Sequence, residues 1–348
     1  MQDRLISVVI INNNGKIFLD GCLSALLKTE YDNFEVIFID NKSNDGSAEY
    51  VRNNFKDERI KIFETDKNYG VPGGRNIGYQ KAKGEFVVFL DNDTEVDPSW
   101  LKELIKVFDS DPKIAVAQSK LLKINERNVF DHAGDYMTPL GFLFERSNQG
   151  VDAGQFDIVE DILSAKGAAT MIRSAVFEEL GRYDDSYFMY LEETDFCLRA
   201  WLGGYRVVFT PRSVVWHAYG TSLKATKEYY SDYTIRYYGC RNYILTLLKN
   251  LSIGSLIKIL PLHILSWFSL SLLFLIRGKI KDSFWITKGI FWNLFNLPQA
   301  LKKRSYVQRK IRKIKDGEFL GKLMIKKSIL SYFKKATCYL DDTNYTEN

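Results

Sequence analysis

The chain contains few cysteines and few prolines, and both shortages limit what it can be. Its 348 residues include four cysteines, scattered without the paired spacing of a metal site, so a disulfide-stapled miniprotein is excluded. Seven prolines and no repeated tract exclude a low-complexity chain. The N-terminus has a short apolar run but no cleavage site, which predicts a buried strand rather than a signal peptide. We therefore expect a cytosolic chain with free thiols.

The composition is that of a globular protein of about two domains. Hydrophobic residues make up 46% and charged residues 26%, close to the globular average, and domains of roughly 100–200 residues fit this length twice. The net charge of +5 is uneven, because residues 302–335 carry +11 and leave −6 for the rest. Such a basic tail is typical of contact with nucleic acid or with an anionic membrane surface.

Apolar runs rich in β-forming residues alternate with helical patterns in the first third of the chain. This alternation predicts βαβ units, and right-handed crossovers then give an α/β fold with a doubly wound parallel sheet. Ligands bind such sheets beyond the carboxyl ends of the strands. The predicted strands are Leu5–Ile11, Phe34–Asp40, Arg59–Thr65, Glu85–Leu90 and Ile114–Ser119.

The pattern is more mixed after residue 120. A helix is predicted near Glu193–Leu202, followed by a pair of strands around Arg206–His217. From Arg241 to Leu301 the composition turns to Leu, Ile, Phe and Trp, and the basic tail follows.

Polar clusters follow the first three predicted strands. Residues 12–15 and 40–47 are rich in Asn, Asp, Gly and Ser, so each could be an ordinary turn. Asp40 could equally accept hydrogen bonds from a nucleobase N–H or a ribose hydroxyl. In residues 68–78, glycines precede a helix and Arg75 adds a planar donor fork, a combination that suits a phosphate. The spacing there is neither that of the dinucleotide fingerprint nor that of a P-loop.

Two acidic motifs are candidates for chemistry. Asp91 and Asp93 end a strand two residues apart, so their side chains share one face and favour a bound cation such as Mg²⁺. A solvated loop with a helix-capping Asp is the alternative. Glu192 and Glu193 begin a helix, where acids complement the dipole or supply a general base. His217 ends an apolar strand and is either structural or a third metal ligand.

Seven motifs along the chain carry a family resemblance. They are VVIINNNG, FIDNKSNDGS, NYGVPGGRNIG, FLDNDTE, GAATMIRSAVFEELGRYDDSYF, LEETDFCLRA and VVWHAYGTS. Their order resembles that of inverting family-2 glycosyltransferases of the GT-A fold, over about residues 5–240. The following hydrophobic and basic region resembles, less specifically, the extension of the rhamnosyltransferase-like branch.

The resemblance implies a role for each candidate residue. Residues 1–120 would form the nucleotide-sugar-binding half of the GT-A domain and residues 121–240 the acceptor-binding half, before a helical region to residue 301 and the tail. Glu193 would be the catalytic base, with Glu192 before it, and Gly167 and Ala168 would border the acceptor. The residues implied for binding the nucleotide of the donor are Asn12, Asp40, Arg75 and Asp91. Those implied for binding a divalent metal, Mg²⁺ or Mn²⁺, are Asp93, Asp91 and His217.

The chain departs from the family pattern at three places. Asn13 replaces the usual aromatic residue of the first motif. Glu193 is one methylene longer than the usual Asp, so either Glu193 or Glu192 is the base. The residues after His217 match the family motif only loosely.

The resemblance implies transfer of a sugar from a nucleoside-diphosphate sugar to a hydroxyl of a glycan or lipid-linked acceptor, with inversion by single displacement. Three alternatives stay open at this stage. A sugar nucleotidyltransferase would carry an Arg-containing glycine loop after the first strand, and a processive synthase would need several spanning helices and a Gln-x-x-Arg-Trp motif. A non-catalytic nucleotide-sugar-binding module would bind donor without turnover.

The apolar C-terminal region predicts a peripheral position on the inner face of the cell membrane. Ile259–Ile276 has 18 residues without a charged side chain, the lower limit for a spanning helix. A single span would also put the basic tail outside, against the positive-inside tendency. We therefore expect in-plane amphipathic helices on an anionic membrane surface, and no nucleic acid as partner. The alternative is a buried helical subdomain in a soluble enzyme.

Overall fold

The computed structural model describes residues 4–218 and 232–325. Within them a sheet of ten strands runs in the order β10-β12-β6-β11-β4-β1-β2-β3, with β5 on β12 and β7 on β6, while β8 and β9 form a separate pair. The strands are β1 (Ile6–Asn12), β2 (Phe34–Asp40), β3 (Ile60–Glu64), β4 (Phe86–Asp91), β5 (Thr94–Val96), β6 (Ile114–Lys123), β7 (Phe130–His132), β8 (Asp135–Met137), β9 (Leu143–Glu145), β10 (Glu160–Asp161), β11 (Ala169–Arg173) and β12 (Arg206–His217).

Helices cover the sheet and form the C-terminal part of the described chain. The sheet divides two cores of buried apolar side chains, as expected for strands that are apolar on both faces. The helices are α1 (Lys16–Leu26), α2 (Ser47–Asn54), α3 (Gly70–Lys81), α4 (Trp100–Ser110), α5 (Ser174–Glu179), α6 (Glu192–Leu202), α7 (Asp232–Asn250), α8 (Ile253–Ile276), α9 (Ile280–Phe295), α10 (Leu297–Tyr306) and α11 (Asp316–Leu323).

The sheet is mixed rather than wholly parallel. Strands β1 to β4 pair in parallel as predicted, but β11 lies antiparallel between β4 and β6. This insertion explains how two halves of the chain share one sheet. The α/β fold with a central sheet and a C-terminal helical region is therefore confirmed, whereas the division of the chain at residues 120, 240 and 301 stays a prediction.

The predicted pair of strands around Arg206–His217 is wrong, because these residues form the single strand β12. Its pairing with β6 shifts register between Thr210 and Val214. Pro211 lies in this interval and has no N–H for the ladder, so a bulge there lets the strand continue. The shift carries His217 to the edge at which β4 ends.

Helix α8 is longer than the predicted apolar segment. It begins at Ile253, capped by the Ser252 side chain, which accepts a hydrogen bond from the Ser255 N–H at 3.3 Å, and it continues through Pro261. Its 24 residues make it, among the described residues, the one helix long and apolar enough to cross a membrane. The argument from a length of 18 residues is therefore wrong.

The C-terminal helices are fixed to the sheet domain by buried polar contacts. The Lys249 Nζ lies 2.6 Å from the Asp184 Oδ2 and 3.0 Å from the Asp195 carboxylate. The His263 Nδ1 donates to the backbone oxygen of Leu140 at 2.8 Å. These contacts hold α7 and α8 against the loops at the carboxyl edge of the sheet.

Candidate active site

The candidate site is a cavity of about 300 Å³ at the carboxyl edge of the sheet. Parallel pairing places Asn12 of β1 beside Asp40 of β2, and Ile11 beside Asp91 of β4. The strand ends therefore meet as predicted for a doubly wound sheet. Of the sequence-predicted residues, the structure brings nine to the cavity wall: Asn12, Arg75, Asp91, Asp93, Gly167, Ala168, Glu192, Glu193 and His217.

Asp40 is the predicted site residue that does not line this cavity among the described residues. Its carboxylate is buried and accepts hydrogen bonds from the Ser43 hydroxyl and from the Asn12 amide at 3.4 Å. Burial raises the pKa of Asp40, although these two hydrogen bonds oppose the effect. Asn13 and Asn41 line the cavity instead. Asp40 contacts Asn12, which also lines the cavity, and so helps to fix its side chain.

Arg75 is buried at the centre of the site and joins its acidic groups. Its guanidinium donates to the Asp91 Oδ1 at 2.8 Å, to the Gly167 oxygen at 2.9 Å and to the Glu192 Oε1 at 3.2 Å. A side chain at Gly167 would collide with the guanidinium, so glycine is required there. Ala168 accepts from the Asp91 N–H at 2.9 Å. Gly167 and Ala168 thus set the positions of Arg75 and Asp91.

A cluster suited to a divalent cation forms beside Arg75. Asp91, Asp93 and His217 each offer one ligand atom, and these atoms all lie within 4.8 Å of one another. Asp93 and His217 are buried, and their Oδ1 and Nε2 are 3.3 Å apart. Carboxylate oxygens with one imidazole nitrogen suit Mn²⁺, and carboxylates alone suit Mg²⁺. The residues present therefore fit a divalent metal.

His217 is held by a carboxylate that the sequence did not reveal. Its Nδ1 lies 2.9 Å from the Oδ2 of Asp131, which also accepts from the Lys166 Nζ at 2.7 Å. Burial lowers the pKa of His217, but Asp93 and Asp131 outweigh burial and raise it to about 10. Asp131 thereby fixes the ring so that Nε2 faces Asp93. No motif marked Asp131, because β7 reaches His217 only through pairing with β6.

The two glutamates at the start of α6 have different surroundings. Glu192 is buried beside Arg75, and burial together with the neighbouring Glu193 raises the pKa of Glu192 well above its usual range, although Arg75 opposes this. Glu193 is half-buried, and its Oε1 lies 3.4 Å from the Gly167 N–H. Its Oε2 has no hydrogen-bond partner among the described residues. The Glu193 carboxylate therefore lines the cavity beside that of Glu192, with its Oε2 buried.

The loop before α6 has an unusual backbone. Phe188, Tyr190 and Leu191 have positive φ angles of 63°, 65° and 69°, a region that side chains rarely adopt. The Asn242 amide on α7 donates to the backbone oxygens of Met189 and Tyr190 at 2.7 and 2.9 Å. The C-terminal region thus holds the segment that aims Glu192 and Glu193, a role that sequence patterns did not reveal.

Comparison with known proteins identifies the family. The family model described as glycosyl transferase family 2 matches residues 7–181. The O-antigen biosynthesis protein RfbC of Myxococcus xanthus is 30% identical over 64% of this chain and 18% of its own length. The low-salt glycan biosynthesis hexosyltransferase Agl10 of Haloferax volcanii is 27% identical over 58% of this chain and 62% of its own length. The chain thus spans less than two thirds of these curated relatives.

Solved structures share the fold. S. aureus TarS residues 1–349 in complex with UDP-GlcNAc gives a TM-score of 0.56 at 18% identity, over 88% of this chain and 87% of that one. The mannosyltransferase PcManGT from Pyrobaculum calidifontis, in complex with GDP-Man and Mn²⁺, gives 0.53 at 15% identity, over 87% and 84%. The rhamnosyltransferase-like branch stays a prediction. Because the family model matches half of the chain, the protein belongs to glycosyl transferase family 2.

Proposed function

We propose that the chain transfers a sugar from a nucleoside-diphosphate sugar to a hydroxyl of a glycan or lipid-linked acceptor. One observation carries this proposal: the cluster of Asp91, Asp93 and His217, which could hold a cation, shares a cavity with the Glu193 carboxylate. A bound cation would stabilise a departing diphosphate, and a carboxylate can take the proton of an attacking hydroxyl.

The donor end of the cavity suits a nucleotide. Asn12, Asn13 and Asn41 line it, and hydrogen bonds hold the amides of Asn12 and Asn41 in place. Such a fixed polar wall suits the donors and acceptors of a nucleobase or ribose. TarS in complex with UDP-GlcNAc and PcManGT in complex with GDP-Man share the fold. These likenesses support a nucleotide-sugar donor without choosing its base or its sugar.

The reaction we propose is a single displacement with inversion. A divalent cation held by Asp91, Asp93 and His217 would stabilise the charge that grows on the leaving nucleoside diphosphate. Arg75 keeps Asp91 in place and adds positive charge to the cavity wall. Glu193 removes the proton of the acceptor hydroxyl while the acceptor oxygen attacks the anomeric carbon, from the face opposite the leaving diphosphate. Glu192, whose raised pKa favours the neutral acid, acts with Arg75 to fix the start of α6.

We also propose that the protein binds the inner face of the cell membrane without crossing it. Large apolar side chains are exposed along α8 and α9, including Leu265, Leu272 and Phe284. Near the middle of α8, Ile259 and His263 are buried against the sheet domain. A spanning α8 would have to surrender these contacts to lipid, whereas a helix lying in the interface keeps them.

Nucleotide binding tests the proposed function most directly. Full-length protein is heated with UDP, GDP or dTDP, each with and without Mn²⁺. We expect one nucleotide to raise the melting temperature only with Mn²⁺, since a ligand at about 100 times its Kd adds about 2.7 kcal/mol. Asp93→Ala should abolish the Mn²⁺-dependent part. Failure of all three nucleotides to stabilise the wild type with the metal would contradict the proposal.

A further inference from the structure

The loop of residues 186–191, which leads into α6, is held from two sides. On one side lies the start of α3, where the Val71 N–H donates to the Phe188 oxygen at 2.7 Å. On the other side lies α7, whose Arg241 and Asn242 are buried against the loop. Because α6 begins at the residue after the loop, the loop backbone determines where the first side chains of α6 point.

The side-chain amide of Asn242 is fully buried and contacts the loop at three backbone oxygens. Its Nδ2 lies 3.1 Å from the Tyr187 oxygen, 2.7 Å from the Met189 oxygen and 2.9 Å from the Tyr190 oxygen. Its Oδ1 accepts a hydrogen bond from the Arg241 Nε at 2.8 Å. An amide is the one side-chain group that combines N–H donors with a carbonyl acceptor. Both ends of this amide are therefore used, one on the loop and one on Arg241.

Arg241 makes a second set of contacts with the same loop. Its Nη2 donates to the Ser186 oxygen at 2.5 Å and to the Tyr187 oxygen at 2.7 Å. Its guanidinium lies 4.5 Å from the ring centroid of Trp292 on α9. A buried charge is tolerated where it is hydrogen-bonded, and an aromatic face adds cation–π attraction. Arg241 and Asn242 together form what we call the loop clamp.

The loop needs such support because its backbone is strained. Phe188, Tyr190 and Leu191 all have positive φ angles, and residues in such conformations persist only where their surroundings hold them. Without the hydrogen bonds of the loop clamp, the loop could relax to more usual backbone angles. The first residues of α6 would then move with it.

We propose that Arg241 and Asn242 are positioning residues of the transfer reaction, because the loop clamp holds the Glu193 carboxylate where an acceptor hydroxyl can reach it. The inference rests on the proposed function and extends the machinery of the reaction to α7. A general base must lie within hydrogen-bond reach of the proton it removes, and a misplacement of about 1 Å can cost about 100-fold in rate. The loop clamp should therefore act on turnover far more than on nucleotide binding.

Matched asparagine-to-aspartate substitutions test the loop clamp. Asn242→Asp keeps the size of the side chain and removes its N–H donors. The control is Asn293→Asp, at a buried amide on α9 that donates to the backbone oxygens of Arg241 and Gly289 at 3.0 and 3.1 Å. Arg241→Lys is a second variant, which keeps the charge and removes the planar fork. All are made in the full-length protein and compared well below their melting temperatures.

Two measurements separate positioning from general loosening. Hydrogen–deuterium exchange of the backbone amides of residues 186–193 reports on the loop whether or not turnover is detected. Release of nucleoside diphosphate from UDP-glucose, UDP-N-acetylglucosamine, GDP-mannose and dTDP-rhamnose with Mn²⁺ gives kcat and KM with water as the acceptor. In that reaction the water oxygen bonds to the anomeric carbon, the bond from that carbon to the diphosphate breaks, and Glu193 takes the proton.

We expect Asn242→Asp to exchange these amides about tenfold faster or more and to lower kcat about 10–100-fold, while KM for the donor changes less than about threefold. Arg241→Lys should lower kcat less, and Asn293→Asp should resemble the wild type in both measurements. With Glu193→Gln already present, Asn242→Asp should lower kcat no further, because the base that it positions is gone.

Three results would overturn the loop clamp. They are unchanged exchange in Asn242→Asp, an equal loss of kcat in Asn293→Asp, and a full additional loss of kcat when Asn242→Asp is combined with Glu193→Gln. Every variant should keep the nucleotide-dependent stabilisation of the wild type. Absence of stabilisation of the wild type by every nucleotide would instead contradict the proposed function, so the two failures are distinguishable.

Discussion

Glu192 and Glu193 are neighbours in the chain, but their carboxyl groups differ in burial and in their tendency to hold a proton. Glu192 is buried and bonded to Arg75, and its raised pKa favours the protonated form. Glu193 is only half-buried and lines the cavity that also contains Asp91, Asp93 and His217. The sequence left the choice of base open between the two, and these surroundings favour Glu193.

Replacing each glutamate by glutamine separates their roles. Glu193→Gln keeps the shape and removes the basicity, so we expect transfer to fall by about 10²–10⁴-fold while nucleotide stabilisation persists. Glu192→Gln keeps a neutral side chain beside Arg75 and should retain much more activity. Rates of nucleoside diphosphate release, with nucleotide binding measured on the same samples, check this. An active Glu193→Gln beside an inactive Glu192→Gln would reverse the assignment.

Asp131 should control metal affinity through His217. Its carboxylate holds the imidazole Nδ1 and leaves Nε2 toward Asp93. Asp131→Asn keeps the size but weakens this orientation, and loss of such a supporting carboxylate typically lowers metal affinity by about 10–100-fold. Titration of Mn²⁺ followed by electron paramagnetic resonance measures the affinity without turnover. Asp152→Asn, which alters another carboxylate–lysine pair with Lys120, is the control. Equal Mn²⁺ affinity in both variants and the wild type would refute the role.

At the residue scale, sequence could predict what lies at strand ends and little beyond. Asp91 and Asp93 follow a predicted strand, so their position at the site followed from the carboxyl-edge rule. The place of Glu193 was implied by the family resemblance. Asp131 and Asn242 reach the site through tertiary packing, which leaves no local spacing to read. Asp40 does not line the cavity among the described residues, because its carboxylate accepts hydrogen bonds from Ser43 and Asn12. Its nucleotide-binding role stays a prediction.

At the scale of elements, β1 to β4 and β6 were predictable, whereas the way the remaining strands join the sheet was not. Continuous apolar runs separated by helices specify β1 to β4 and their parallel pairing. The antiparallel insertion of β11 has no local signature, since it depends on which edge of β4 is free. The sequence predicted two strands where β12 is one, because a proline such as Pro211 usually indicates the end of a strand and the bulge was not foreseen.

The junction of the C-terminal helices with the sheet domain should depend on pH. Burial alone would raise the pKa of Asp184, but Lys249 and Lys303 outweigh burial and hold it well below its usual range, and the pKa of Asp195 is also lowered. A carboxylate with a depressed folded pKa stabilises the fold above its unfolded pKa of about 4, and that stability is lost as pH falls toward the folded value.

Asp184→Asn tests this junction. We expect the variant to lose about 1.5–3 kcal/mol at pH 7, the usual contribution of hydrogen bonds to charged groups. It should also show a shallower fall in the free energy of unfolding than the wild type below about pH 5. Urea unfolding across this pH range measures both effects. Asp20→Asn, at an exposed carboxylate on α1, should follow the wild type, and identical pH profiles for all three proteins would contradict the prediction.

At the scale of the whole molecule, the apolar face of α8 and α9 and the exposed basic residues of the same region point outward together. Lys258, Arg277, Lys281 and Lys302 are exposed on or beside these helices. Each basic residue near an anionic surface contributes about 1 kcal/mol, and each large side chain moved out of water about 1.5–3 kcal/mol.

Charge placed on the apolar face should therefore detach the protein from vesicles. Leu265 and Leu272 are 60% and 57% exposed and lie two turns apart on one face of α8, so Leu265→Glu combined with Leu272→Glu removes two contacts with lipid without disturbing a core. We expect the full-length wild type to float with phosphatidylglycerol vesicles at low salt. The double variant should bind these vesicles at least about 100-fold more weakly. The matched control is Ile158→Glu, at a side chain 64% exposed in a loop outside the helical region, which should float like the wild type. Equal flotation of the double variant would assign this face to something other than a membrane. Protease protection of the residues on one side only of α8, in intact vesicles, would show that it crosses.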